Sequence, residues 1–145
     1  MKTLLVVAFV FAVVLALGGC AAPQVLIHPE QLQNEPDPPP GKAVLVVIRE
    51  RMLKGAIGGW SVLLDGRELS KLSIGNYVVR EIELGEHSLS NITHVSAPTF
   101  FTAKAGRVYY FSYDLSLIGG SSYDYLDKDQ AVRLLKSYTR VRALF

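Results

Sequence analysis

Ala43-Val44-Leu45-Val46-Val47-Ile48 is an unbroken apolar run, half of it valine, closed off by Arg49, Glu50 and Arg51. A run this short, rich in β-branched residues and without alternation, reads as a strand buried on both faces, so it needs one layer above it and another below. Downstream the chain supplies short strands parted by turn signals. Trp60, Val62 and Leu64 lead into Asp65-Gly66, a dipeptide that tolerates positive φ and suits a tight hairpin, and a second arm returns through Leu69 and Leu72. Strand-like stretches follow at residues 77–84 and 87–92, with turn signals at Gly75 and Gly85. Residues 99–104 and 107–115 bracket Ala105-Gly106 and are expected to form another hairpin. Short strands punctuated this often predict a mainly β fold, an antiparallel β-sandwich.

The end of the chain is patterned differently. Asp127 stands three residues before Gln130, a capping-box spacing, and Ala131, Leu134, Leu135, Tyr138 and Val141 follow at helical intervals. One C-terminal α-helix is expected, covering a sheet face or edge. The folded domain then spans residues 42–145, and no internal repeat is visible in it.

Upstream of Lys42 the composition changes. Six of the seven prolines, Pro23, Pro29, Pro36, Pro38, Pro39 and Pro40, fall between Cys20 and Gly41. Proline lacks a backbone donor and restricts the residue before it, so residues 20–41 read as a tether, with Val25-Leu26-Ile27 as its one strand-like piece. Fully extended in polyproline II form, such a stretch reaches about 65 Å at ~3.1 Å per residue.

Residues 1–19 have the anatomy of a secretory leader: Lys2, then an unbroken apolar run at 4–17 ending in Gly18 and Gly19. As a helix that run rises about 21 Å, short of the ~30 Å hydrocarbon core that a permanent span must cross. Leu17-Gly18-Gly19-Cys20 resembles the lipobox of bacterial lipoproteins. The resemblance implies cleavage between Gly19 and Cys20, acylation of the Cys20 thiol and a lipid-held position in the cell envelope. Because Ala21 is not the aspartate that retains many such proteins at the inner membrane, it also implies the outer membrane, facing the periplasm. Cys20 is the single cysteine, so no internal disulfide forms even in an oxidising compartment.

The domain itself resembles a family of small bacterial lipoproteins classed as domain of unknown function 2846. The likeness is carried by the opening strand Ala43–Arg49, by Leu63-Leu64-Asp65-Gly66, by Leu84-Gly85-Glu86-His87 and by Ala105-Gly106-Arg107-Val108-Tyr109-Tyr110. It implies a transthyretin-like or immunoglobulin-like sandwich and an envelope location, but no activity.

Composition narrows the function classes. Of 15 Lys and Arg only Lys2 lies in the leader, against 13 Asp and Glu, so the domain is near neutral and has no basic face for nucleic acid. His87 and His94 stand at an odd offset, on opposite faces of one strand, and His28 lies in the tether, so the histidines predict no metal site. Asp124, Asp127 and Asp129 lack the ligand spacing of a calcium loop. The glycines at 55, 58, 59, 119 and 120 lack a phosphate-loop signature and read as loops, and no serine sits in a nucleophile elbow. Glu81 and Glu83 share a strand face, as a carboxylate pair for glycoside hydrolysis would, but the stronger reading makes them the polar side of a half-buried strand.

These patterns predict no catalytic residue, metal or cofactor. They favour a non-catalytic module that binds an envelope protein or a cell-wall component, with an assembly subunit of a secretion or surface apparatus and a cell-wall hydrolase as rivals. The candidate binding surface is aromatic: Tyr109, Phe111, Tyr113, Tyr123 and Tyr125. The first three share one strand face while Val108 and Tyr110 take the other, so at least one tyrosine set belongs to the core.

Overall fold

A computed structural model describes residues 36–51, 58–92, 97–116 and 120–145. The leader, Cys20, His28, His94, Gly55 and Gly119 lie outside them. In chain order the strands are β1 (Ala43–Arg49), β2 (Trp60–Leu64), β3 (Arg67–Leu72), β4 (Asn76–Ile82), β5 (Gly85–Asn91), β6 (Thr99–Ala103), β7 (Val108–Ser116), β8 (Gly120–Leu126) and β9 (Thr139–Val141), with helix α1 (Lys128–Leu135) between the last two. They form two open sheets packed face to face, ordered β8-β7-β1-β4-β9 and β3-β2-β5-β6. The fold is therefore mainly β, a two-sheet sandwich with one short C-terminal helix.

The opening apolar run sits at the middle of the larger sheet, and all seven residues of β1 are buried. Ala43, Leu45 and Val47 face the smaller sheet and meet Val62, Leu64 and Leu89 in the inter-sheet core. Val44, Val46 and Ile48 face the other way, packing with Tyr77, Tyr110 and the α1 residues Ala131 and Leu135. Removing such side chains from water contributes roughly 1.5–3 kcal/mol each, which makes this double-faced strand the main stabilising element. Arg49 ends the run and is buried too. Its Nη1 donates to the carbonyls of Leu72 (2.8 Å) and Gly58 (2.9 Å), which compensates for burial that lowers its pKa, while Tyr113 and Asp114 pull the other way.

The Asp65-Gly66 hairpin forms as the dipeptide predicts, with φ of 51° and 77° at the two turn residues. Two other expectations are corrected. Residues 99–104 and 107–115 do not pair with each other: β6 joins β5 in the smaller sheet, whereas β7 lies between β1 and β8 in the larger one. The turn between them is an arch from sheet to sheet, because Gly106 N donates to Lys42 O and Val44 N donates to Arg107 O, both at 2.9 Å, capturing the chain at the start of β1. As a result β7 runs parallel to β1, and β9 runs parallel to β4, so the larger sheet is mixed. Parallel pairs are at home in a sheet covered on both faces.

The helix is also shorter than its apolar spacing suggests. The capping box forms, with Gln130 N donating to Asp127 Oδ1 at 2.8 Å and Asp127 N to Gln130 Oε1 at 3.4 Å, but α1 stops at Leu135. Tyr138 still packs with the helix-covered cluster, whereas Val141 belongs to β9 and packs into the inter-sheet core. Strand pairing wins here because Thr139 N finds Gly75 O at 2.9 Å and the β-branched Thr139 and Val141 suit an extended backbone. Beyond β9 the tail crosses to the other sheet: Leu144 N donates to Leu69 O at 2.8 Å, and Ser70 Oγ to Arg142 O at 2.9 Å. Phe145 ends beneath two guanidinium groups, Arg67 at 4.1 Å and Arg80 at 5.0 Å, so the tail covers the β3 edge of the sandwich.

Candidate functional site

The aromatic residues divide sharply. Phe111, Tyr113 and Tyr123 are buried in the inter-sheet core and Tyr109 is half-buried against it, so these four form no binding surface. Their alternation on β7 and β8 points them at the smaller sheet, where apolar rings are removed from water. Tyr113 and Tyr123 stack at 5.0 Å, and the Tyr123 hydroxyl donates to Ser90 O at 2.7 Å. Burial pushes the pKa of both tyrosines up. Tyr125 is different: it is 63 % exposed, with its ring edge-on to Phe111 at 5.8 Å. Of the five candidates it alone faces solvent broadly. Gly120, read from sequence as loop, opens strand β8, which carries Tyr123 and Tyr125.

The surface residue that the spacing pattern hides is Phe100. Two adjacent phenylalanines on a strand must point to opposite faces, so if Phe101 enters the core, Phe100 leaves it. Phe101 packs against Tyr109 and Phe111 at 5.4 and 5.1 Å, and Phe100 is 74 % exposed. β6 is an edge strand, paired only with β5 among the described elements. The outer face beside Phe100 carries Ser88, across from it in the ladder, then Glu86 across from Thr102. Unlike the β3 edge, which the C-terminal tail covers, β6 is paired on one side only among the described residues and carries an exposed apolar side chain, the pattern that invites strand addition.

His87 is built into a turn rather than a metal site. Asp65 Oδ2 lies 2.6 Å from its Nδ1 and Glu83 O lies 2.9 Å from its Nε2, while Asp65 Oδ1 accepts Ser88 N at 2.8 Å. Both ring nitrogens therefore face acceptors, which is the demand of an imidazolium. Partial burial on its own pulls the His87 pKa down, but the Asp65 and Glu83 carbonyl contacts and the two nearby negative charges outweigh it, and the net direction is up. This one side chain ties the β2–β3 turn to the β4–β5 turn. Among the described residues no group of three or more His, Cys, Asp and Glu is arranged to hold a metal ion; Asp127 serves as the helix cap.

Glu81 and Glu83 line one groove of about 550 Å³, together with Lys42, Arg80, Arg140 and Asp37. Glu83 is ion-paired with Lys42, and its side chain is 76 % exposed. A carboxyl group that open to water, beside a lysine, forms a solvated surface ion pair. A second groove, of about 570 Å³, lies on the far side of Pro36 and Asp37, lined by Val108, Tyr110, Tyr125, Arg107 and Lys128. The last proline-rich residues thus lie against the domain between two grooves: Pro36, Pro38 and Pro39 are half-buried, and Lys42 N donates to Pro39 O at 3.0 Å.

In comparison with protein-family models and with curated proteins, the chain matches none.

Proposed function

We propose that this chain is an envelope lipoprotein, held at the outer membrane by lipid on Cys20, whose sandwich is a non-catalytic module that binds another envelope protein or a cell-wall component. The observation carrying the binding role is the β6 edge, where a strand paired on one side only among the described residues carries the protruding Phe100. Exposed apolar side chains next to an open edge mark interaction sites on otherwise soluble domains. The Gly19-Cys20 junction and the likeness to small bacterial lipoproteins support the location. The same edge favours, as a second reading, an assembly subunit that is joined to its neighbours by strand addition.

A photo-crosslinking residue placed at Phe100 in cells is expected to capture a partner of defined mass, while the same probe at Lys71, on the opposite edge strand, captures none. Equal capture at both positions, or none at Phe100, counts against the module. For catalysis, His87→Ala, Glu81→Gln and Glu83→Gln are each expected to complement a deletion strain, and Cys20→Ala is not. One well-folded polar variant that erased the phenotype would turn the reading to a hydrolase.

A further inference from the structure

The smaller sheet ends at β6, whereas the larger one continues past it. Phe101 packs on Tyr109 and Phe111 at 5.4 and 5.1 Å, so β6 lies over β7 there. The sheets cross, and β8 passes beneath β5 at Ser121 and Tyr123, whose side chains reach Asn91 and Ser90. Two residues on, Tyr125 pairs with Phe111 across the ladder and stands one strand beyond the β6–β7 contact, on the inner face yet open to water. We propose that the position beside β6 and over Tyr125 receives an extended segment of another polypeptide as a fifth strand of the smaller sheet, with apolar side chains on Tyr125 and Phe101 and an acidic group toward Lys104 and Arg107. This partner form rests on the binding role given to β6 above.

A comparison of edges argues for it first. Among the described strands, three of the four sheet edges carry a feature that discourages pairing: the C-terminal tail covers β3, β9 is three residues long, and β8 holds Asp124. β6 has none of these. Thr99–Ala103 contains no charge and no proline, and its five pairs with β5 run without a register shift.

Sterics then select an extended segment over a second folded copy. A copy joined through its own β6 about a two-fold axis would bring its β7 to the place that β8 occupies, because each larger sheet continues one strand beyond the β6–β7 contact. A lone strand meets no such obstacle. It finds Phe100 on its outer face and Tyr125 with Phe101 on its inner face. Charge marks one end of the site. Lys104 and Arg107 are exposed in the arch that follows β6, residues 99–113 contain no acid, and the groove shared by Arg107 and Tyr125 has Asp37 as its only acid.

The test uses the full chain purified in detergent and a displayed library of random peptides about ten residues long, selected on the wild type and counter-selected on Tyr125→Ser, a change at an exposed ring. Enriched peptides are expected to alternate apolar and polar residues and to carry Asp or Glu at one end. Synthesised singly, they should slow amide exchange in β6 but not in β3, and should bind Tyr125→Ser and Phe100→Ser about tenfold more weakly than wild type. Methylating one alternate set of peptide backbone nitrogens is expected to abolish binding, and methylating the other set to leave it intact, since only one set faces β6. Lys104→Glu together with Arg107→Glu should turn the preference from an acidic to a basic end. No enrichment, equal binding to wild type and both serine variants, or equal tolerance of methylation in the two sets would overturn the proposal. Capture from Phe100 in cells is scored separately: capture there without peptide enrichment removes the added strand and leaves the β6 role, whereas failure of both removes both.

Discussion

The two sheets solve the same packing problem from opposite starting points. The larger one is covered on both faces, by its partner sheet on one side and by α1 with Tyr138 on the other, and its central strand is apolar throughout. Among the described residues the smaller one is covered on one face only. Leu89 and Phe101 point inward while Ser88 and Phe100 point outward, so its strands β5 and β6 alternate. Coverage goes with strand direction: both parallel pairings among the described strands belong to the larger sheet, which has a layer on each face. The difference teaches where function can reside: the larger sheet opens to solvent at its β8 edge, where Tyr125 stands, and the smaller one presents an outer face and the β6 edge with Phe100.

The contrast is broken most severely by charge. Leu45→Asp and Val46→Asp enter opposite faces of β1, and each buries a carboxylate without a partner, a penalty comparable to the ~5–15 kcal/mol total stability of a domain. Both are expected to yield unfolded protein by circular dichroism, whereas Thr102→Lys on the outer face of β6 should shift stability by no more than ~0.5 kcal/mol. A folded Val46→Asp domain would show that the helix-side face is not sealed.

A smaller effect sharpens the role of the helix as a cover. Leu135→Asp is expected to lower stability by about 3 kcal/mol in urea denaturation, since Leu135 is buried in the cluster beneath α1, and Lys136→Asp by less than about 1 kcal/mol. Equal midpoints for the two would mean that α1 does not dock through this side.

The smallest effect belongs to the turns of the smaller sheet and depends on pH. His87 binds its proton more tightly folded than unfolded, so its contribution is fully present below the unfolded value of about 6.5 and is lost as pH rises through the higher folded value. The wild type is expected to be more stable at pH 6 than at pH 8. In His87→Gln that dependence should flatten, as read from urea midpoints across the range; a wild-type midpoint rising with pH through this window would contradict the geometry.

How much of this was legible beforehand follows from what each signal encodes. Local signals were read correctly where their cause is local: the β1 run, the Asp65-Gly66 turn and the Asp127/Gln130 capping box each depend on residues within a few positions of one another. The misreadings concern elements whose fate is decided at a distance. Ala105-Gly106 turns the chain in either a hairpin or an arch, and the backbone bonds to Lys42 and Val44, some sixty residues upstream, make it an arch. Tyr138 and Val141 continue a helical spacing, yet pairing with β4 removes Val141 from the helix.

For the candidate site the division is the same. Alternation on β7 and β8 put the tyrosines on shared faces, but only the position of the smaller sheet made Phe111, Tyr113 and Tyr123 core and left Tyr125 outside. Nothing local distinguishes Phe100 from Phe101 until one of them meets Tyr109 and Phe111. Likewise Asp65 and His87, 22 positions apart, become partners only when the β2–β3 hairpin meets the β4–β5 link between the two sheets. The sequence by itself determined the strand-rich class and the helix start, because these depend on short-range backbone preferences and hydrophobic period. The tertiary structure decided sheet membership, strand direction, the open β6 edge and the grooves flanking Pro36, because burial and pairing are properties of residues brought together from far apart in the chain.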